Sequence, residues 1–302
     1  TPGVVFAIAA AVRAFTKPGE GVLIQQPVYY PFSSVILHNK RELVSNDLVY
    51  DKENLTYHID FADFEKKIVE NSVKLFLLCN PHNPVGRAWN REELIQIGEI
   101  CSKHGVIVFS DEIHADFVWK GKHQAFLTAK GGFEQIAVTA TAPSKTFNLA
   151  GLIGSYHIIY NRTLRERIIK ESSLCHYNSM NVLSMYALIG AYKPEGCEWV
   201  DELRQVIGEN VAYACDYIDE HFEGVHVSRP QGTYMLFIDC EEWCKAHGKT
   251  AEELLKMGYE AGVFWQSGKA FHGEWYIRMN LALPNSRVRE AFDRLDKYVF
   301  NA

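Results

Sequence analysis

No stretch of this sequence is apolar for long enough to form a transmembrane helix. The longest, Val4 to Val12, ends at Arg13, far short of the roughly 20 residues such a span needs. No secretory pattern is visible. Lysine and arginine form no runs and the formal net charge is −6, so neither nucleic acid nor a membrane surface is expected as a partner. The seven cysteines, Cys79, Cys101, Cys175, Cys197, Cys215, Cys240 and Cys244, are odd in number and follow no framework spacing. That favours free thiols in a reducing compartment, hence a cytoplasmic location. Cys240, Cys244 and His247 lack a second ligand pair and read as core or helix-surface residues, so no metal site is expected. A G-x-x-x-x-G-K-S/T loop is also missing, which counts against a nucleotide hydrolase.

What is present suits a folded α/β protein. Of 302 residues, 47% are hydrophobic and 23% charged, ordinary values for a globular chain with a large core. Thr1-Pro2 reads as a helix N-cap followed by proline at the first helical position. With no initiator Met ahead of it, the chain is expected to lack an N-terminal segment. Apolar runs at Gly21 to Gln26, Val73 to Cys79, Val106 to Ser110, Gln135 to Thr141 and Leu152 to Tyr160 read as buried strands. The amphipathic stretch Arg91 to His104, closed by Gly105, reads as a helix. Alternation of this kind predicts a three-layer, mainly parallel sheet.

From about Pro194 the pattern changes to one long helix, Glu198 to Phe222, then strands at Gly232 to Asp239 and Trp275 to Leu281. Helices are predicted at Thr250 to Ala261 and Ser286 to Phe300. The expected organisation is a large domain over residues 1–194, followed by the connecting helix and a smaller C-terminal α+β domain over 195–302.

In open parallel sheets, ligands bind beyond the carboxyl ends of the strands, and polar clusters fall there. Lys145 follows a buried strand, where desolvation favours the neutral amine that attacks an aldehyde; a surface lysine is the plainer alternative. Asp111, with Glu112 and His114 behind it, supplies a carboxylate that could hold a pyridine nitrogen protonated. Strand-end acids also bind magnesium, and Asp111, His114 and Asp116 form no recognisable ligand pattern. Asn83 sits in a turn stiffened by Pro81 and Pro84 and offers a donor to a phenolate oxygen, or is a plain turn residue. Tyr29 is a candidate ring to stack on a flat cofactor, or a core aromatic. The helix opening at Gly3, Val4 and Val5 presents free N–H groups to a phosphate, with the Ser144 hydroxyl as a second donor. Arg278 is a lone basic residue in an apolar strand and needs an anion, either a substrate carboxylate or an internal acid.

Those residues, in that order, resemble the fold-type I pyridoxal-phosphate enzymes of the aminotransferase class I/II superfamily, over essentially the whole chain. The segments Cys79 to Arg87, Ser110 to Asp116 and Ala142 to Leu152 resemble more narrowly the MalY/PatB branch, the cystathionine β-lyases or C–S β-lyases. The resemblance implies pyridoxal 5'-phosphate as cofactor, with Lys145 as its Schiff-base lysine and Asp111 as partner of the pyridine nitrogen. Asn83 would bond the phenolate oxygen, Tyr29 would stack on the ring, and His114 stands where many aminotransferases carry a tyrosine. Val4, Val5 and Ser144 would hold the phosphate and Arg278 the substrate α-carboxylate. Two departures weaken the phosphate site: Ala142 replaces a serine and Ile153 an arginine common in the wider superfamily.

The implied activity is cleavage of L-cystathionine or a related cysteine S-conjugate, a small-molecule amino acid, by a homodimer. An aminotransferase using the same residues, and a catalytically weak regulatory or binding protein of this fold, are the alternatives.

Overall fold

A computed structural model of the chain describes residues 1–301. Eight strands lie in the first two-thirds of the chain: β1 (Gly21–Ile24), β2 (Glu42–Ser45), β3 (Val49–Asp51), β4 (Thr56–His58), β5 (Leu75–Cys79), β6 (Ile107–Asp111), β7 (Ala137–Thr141) and β8 (Tyr156–Ile158). All but the β3–β4 hairpin form one sheet in the order β2-β1-β5-β6-β7-β8, parallel throughout except for β8, which runs antiparallel to β7.

Helices cover both faces. They are α1 (Val4–Phe15), α2 (Pro31–His38), α3 (Phe61–Glu70), α4 (Arg91–His104), the short α5 (Phe126–Ala129) and α6 (Pro143–Thr146), and α7 (Arg162–Ser173). Because side chains alternate along a strand, Leu23, Phe76, Leu78 and Val108 share a core with α3, α4 and α5. Val22, Leu75, Leu77, Phe109 and Val138 share the other with α1, α2 and α7. The predicted mainly parallel three-layer arrangement is therefore observed. Every residue of β5 is buried, and each large side chain so buried contributes roughly 2 kcal/mol.

Beyond this sheet come α8 (Val182–Ala191), the long α9 (Pro194–His221), β9 (His226–Val227), β10 (Met235–Asp239), α10 (Glu241–Ala246), α11 (Ala251–Glu260), β11 (Gln266–Ser267), β12 (Tyr276–Asn280) and α12 (Asn285–Leu295), which continues as a π-helical turn to Phe300. The four strands form an antiparallel sheet, order β11-β12-β10-β9, packed on α9 and α12. Phe237 and Phe271 reach from this part into the core beside the large sheet.

The chain start departs from expectation. Helix α1 begins at Val4, and the residue before it is Gly3 at φ 85°, a conformation that favours glycine. Pro2 lies outside the helix, and Thr1 does not cap it. Instead the Thr1 amino group donates to Ser155 O at 2.7 Å, Ser155 N donates to Thr1 O at 2.9 Å, and the two hydroxyls meet at 2.7 Å. Among the described residues no helix is long and apolar enough to cross a membrane.

Candidate active site

Parallel strands deliver their carboxyl ends to one edge of the sheet. There β1 runs into Tyr29, β5 into Asn83, β6 ends at Asp111 with His114 just beyond, and β7 leads to Ser144 and Lys145. Helix α1 opens at the same edge and β12 brings Arg278 across from the second sheet. One cavity of about 390 Å³ is lined by all nine: Val4, Val5, Tyr29, Asn83, Asp111, His114, Ser144, Lys145 and Arg278.

Lys145 lies in α6, started by Pro143 at its first position. The turn is tied down by Thr146 Oγ1, which donates to Asp116 Oδ2 at 2.6 Å. Among the described residues no group of three or more His, Cys, Asp or Glu side chains is placed to hold a metal ion. Lys145 itself is half-buried, with no ion pair or hydrogen bond to its amine among the described residues. Burial lowers its pKa, Asp111 opposes that, and Arg278 adds to it.

Asp111 is buried, and burial raises its carboxyl to about 7, with Glu112 adding to the rise while the Ile113 N–H and Lys145 oppose it. Oδ1 accepts from Ile113 N at 3.1 Å. The neighbouring Glu112 points away: it accepts from Ser110 Oγ at 2.8 Å and Phe126 N at 3.1 Å, and pairs with His123 Nε2 at 2.8 Å. Of the two adjacent acids, only Asp111 lines the cavity. His114 is pushed down to about 3, by burial first and then by Lys145 and Arg278, so its imidazole is neutral. Its Nδ1 is buried and has no hydrogen-bond partner among the described residues.

Arg278 meets neither of the two anions the sequence suggested within the described residues. Among the described residues it has no carboxylate partner; Nη1 donates to Asn83 Oδ1 at 3.3 Å, Nη2 donates to Gln266 Oε1, and the guanidinium lies 4.6 Å from the Phe271 ring centroid. A half-buried cation without an anion suits a carboxylate ligand. The bond to Asn83 Oδ1 also fixes the amide so that its Nδ2 is left to donate elsewhere. Tyr29 is half-buried beside Tyr30 and edge-on to Phe32, and burial raises its pKa.

At the other end of the cavity, Gly3 N bonds Thr1 O and Ala7 N bonds Gly3 O, leaving Val4, Val5 and Phe6 N–H without acceptors among the described residues. These are the orphan donors of a helix start. The Ser144 hydroxyl lines the same space. Ala142 is buried and supplies no hydroxyl, while Ile153 lines the wall with φ 52°.

A cavity holding one carboxylate, one unpaired lysine, one unpaired arginine and a helix start favours an anionic ligand at both ends. The model of the family described as aminotransferase class I and II matches residues 1–295. The chain belongs to that family. Among its members, the chain is 37% identical to "Cystathionine beta-lyase PatB" of Bacillus subtilis, over 98% of this chain and 76% of that protein. It is 30% identical to "Protein MalY" of Escherichia coli, over 96% of this chain and 73% of that one. Among solved structures, cystalysin from Treponema denticola, described as containing a pyridoxal 5'-phosphate cofactor, superimposes with a TM-score of 0.91. That match is at 35% identity and covers 100% of this chain and 76% of that one.

The aminotransferase-family cavity includes residues that the sequence reading missed. Gln266 meets Arg278 because β11 pairs with β12 in the register Gln266↔Arg278, and no local motif signals it. Tyr234 is buried, edge-on to His114 at 5.4 Å, and lines the cavity with Tyr30 and Asn280. Tyr30 directly follows Tyr29, so its position beside the stacking candidate was the one available signal. A larger cleft of about 740 Å³ lies apart, between Tyr50, Asp239 and Lys245. Lys245 pairs with Glu241 there at 2.7 Å, and His226 Nε2 lies 3.0 Å from Glu242 Oε2.

Proposed function

We propose that this chain is a pyridoxal-phosphate-dependent C–S β-lyase, which cleaves L-cystathionine or a related cysteine S-conjugate with water to a thiol, pyruvate and ammonia. The observation that carries the reading is the meeting of Lys145, Asp111 and Arg278 in one cavity, on a chain whose relatives include a named cystathionine β-lyase.

The residues present fit the cofactor. Among the described residues Lys145 has no competing partner, Asn83 Nδ2 and the α1 N–H groups are unspent, and Asp111 is the only carboxyl side chain lining the cavity. In this reading Lys145 holds pyridoxal phosphate covalently and Asp111 holds the proton on its pyridine nitrogen. Asn83 would donate to the phenolate oxygen, Tyr29 would stack on the ring and His114 would line the same site. Val4 and Val5 N–H with Ser144 Oγ take the phosphate. When bound, the cofactor supplies a ring that accepts the electron pair released at the substrate α-carbon.

The chain's own groups then have defined tasks. Arg278 receives the α-carboxylate bidentately and so aligns the α-carbon. Once the substrate amino group has replaced it on the cofactor, Lys145 would be a free amine, its pKa lowered by burial, placed to take the α-proton. Asp111, raised by burial, would be returned toward its ionised form by a cationic partner in the cavity. His114, neutral across the working pH range, puts no second cation beside Lys145.

A homodimer is part of the same reading. It is supported by α8, where Val182, Leu183, Tyr186 and Ile189 are exposed and only Ser184 is buried. The free thiols support a cytoplasmic location. The division near residue 194 into a large domain and a smaller C-terminal one belongs to it as well.

The deciding experiment incubates the protein, saturated with pyridoxal phosphate, with L-cystathionine and no keto acid. Release of pyruvate and homocysteine in equal amounts is expected. Turnover only when a keto acid is added would make the chain an aminotransferase, and no turnover of any sulfur amino acid would make it a binding or regulatory protein.

A further inference from the structure

Ile153 lines the cavity in a left-handed backbone conformation, φ 52° and ψ 51°, which a β-branched residue adopts only under constraint. The residue is 55% exposed, so close packing around it does not impose the conformation. The constraint lies on either side of it. The carbonyl of Leu152 accepts two side-chain hydrogen bonds, from Asn181 Nδ2 at 2.9 Å and from Ser184 Oγ. Gly154 fits so closely under α8 that a Cβ there would meet Met180 Sδ and Ser184 Cβ at 3.0 Å. Ser155 N bonds Thr1 O at 2.9 Å.

The donors are built for this task. Ser184 is the one buried residue of α8, and its hydroxyl goes to Leu152. Asn181 caps α8 through Oδ1, which accepts from Ser184 N at 2.9 Å, and spends Nδ2 on Leu152. Neither side chain lines the cavity. The segment they hold lies between the start of α1 and the Ser144–Lys145 turn: a Cβ on Gly3 would stand 3.3 Å from Ile153 Cγ2.

We propose that Asn181 and Ser184 are positioning residues for the phosphate end of the cavity, clamping the Leu152 carbonyl so that Ile153 stays left-handed against the α1 N-terminus. This rests on the reading that Val4, Val5 and Ser144 receive the cofactor phosphate. The clamp sets affinity for the cofactor and not for the amino acid, whose carboxylate is received by Arg278.

The test titrates pyridoxal phosphate into cofactor-free protein and follows absorbance. Asn181→Ser keeps a helix-capping oxygen and loses the donor to Leu152; Ser184→Ala loses the other. Together they are expected to weaken cofactor binding about tenfold, the scale of one left-handed strained residue. The KM for the amino acid at saturating cofactor is expected to change less than about twofold, and amide exchange at 153–156 in the cofactor-free protein to quicken. Glycine adopts this conformation freely, so in an Ile153→Gly background the same pair is expected to change cofactor affinity by less than about threefold.

Unchanged affinity, or equal weakening in both backgrounds, overturns the clamp. No binding of pyridoxal phosphate by the unchanged protein overturns the functional reading and the clamp with it.

Discussion

Replacing Asp111 by Asn in the cofactor-free protein isolates the cost of holding a carboxylate where only a cationic ring should face it. Burial raises the group from an ordinary 3.8 to about 7. Between those values the folded protein keeps the proton that the unfolded chain has released. Stability is therefore full below about pH 4, falls as pH rises through the window and levels off above pH 7. Each pH unit of the window costs about 1.4 kcal/mol, so the total by pH 8 is about 4 kcal/mol. Asparagine keeps the shape and an oxygen for the Ile113 N–H but carries no charge. Urea unfolding of both proteins without cofactor is expected to show the variant ahead by about 2 kcal/mol at pH 5 and about 4 kcal/mol at pH 8. Adding pyridoxal phosphate is expected to stabilise the unchanged protein more than the variant, because only the former offers the ring nitrogen an anion. A difference that does not vary with pH, or a variant less stable at pH 8, would refute the assignment of Asp111 as a carboxylate waiting for a cation.

Two further outcomes follow from the same geometry. Arg278→Lys keeps a charge but loses the planar fork, so KM for the amino acid is expected to rise about 10- to 100-fold while the cofactor absorbance persists; an unchanged KM would assign the carboxylate to another group. Of the seven cysteines only Cys175 and Cys197 are exposed, so a thiol-reactive disulfide reagent is expected to titrate no more than two thiols in the folded protein and all seven in urea. A third thiol reacting in the folded state would show that a buried one, such as Cys79 beneath the cavity, is reachable.

The sequence was most legible where local chemistry and tertiary role agree. Arg91–His104 carries its own boundaries, with Asn90 and Glu93 forming a reciprocal cap and Gly105 left-handed at φ 66°, and the predicted helix matches residue for residue. β1, β5, β6 and β7 match their apolar runs to within two residues; Gly21 to Gln26, for instance, pairs only as far as Ile24. The run Leu152 to Tyr160, expected as a buried strand, holds only the short, partly exposed edge strand β8. The cavity residues were legible because a parallel sheet sends its loops to one edge. Thr1-Pro2 misled because a cap pattern does not reveal that Gly3 turns the chain at positive φ before α1. The β3–β4 hairpin and α2 are short and carry little local signal, whereas α3 was missed although Asp60 caps it and Phe64 and Ile68 form its buried face. Gln266 and the Leu152 clamp depend on register and on contacts far apart in sequence, which no local window contains.

The central claim is that Lys145 carries the cofactor. Borohydride reduction of the protein loaded with pyridoxal phosphate, followed by proteolysis and peptide mass spectrometry, tests it directly. The account predicts one modified lysine, Lys145, and no modification at any comparable level in Lys145→Ala. A loaded protein whose label falls on a different lysine, or persists in the Lys145→Ala variant, would contradict it.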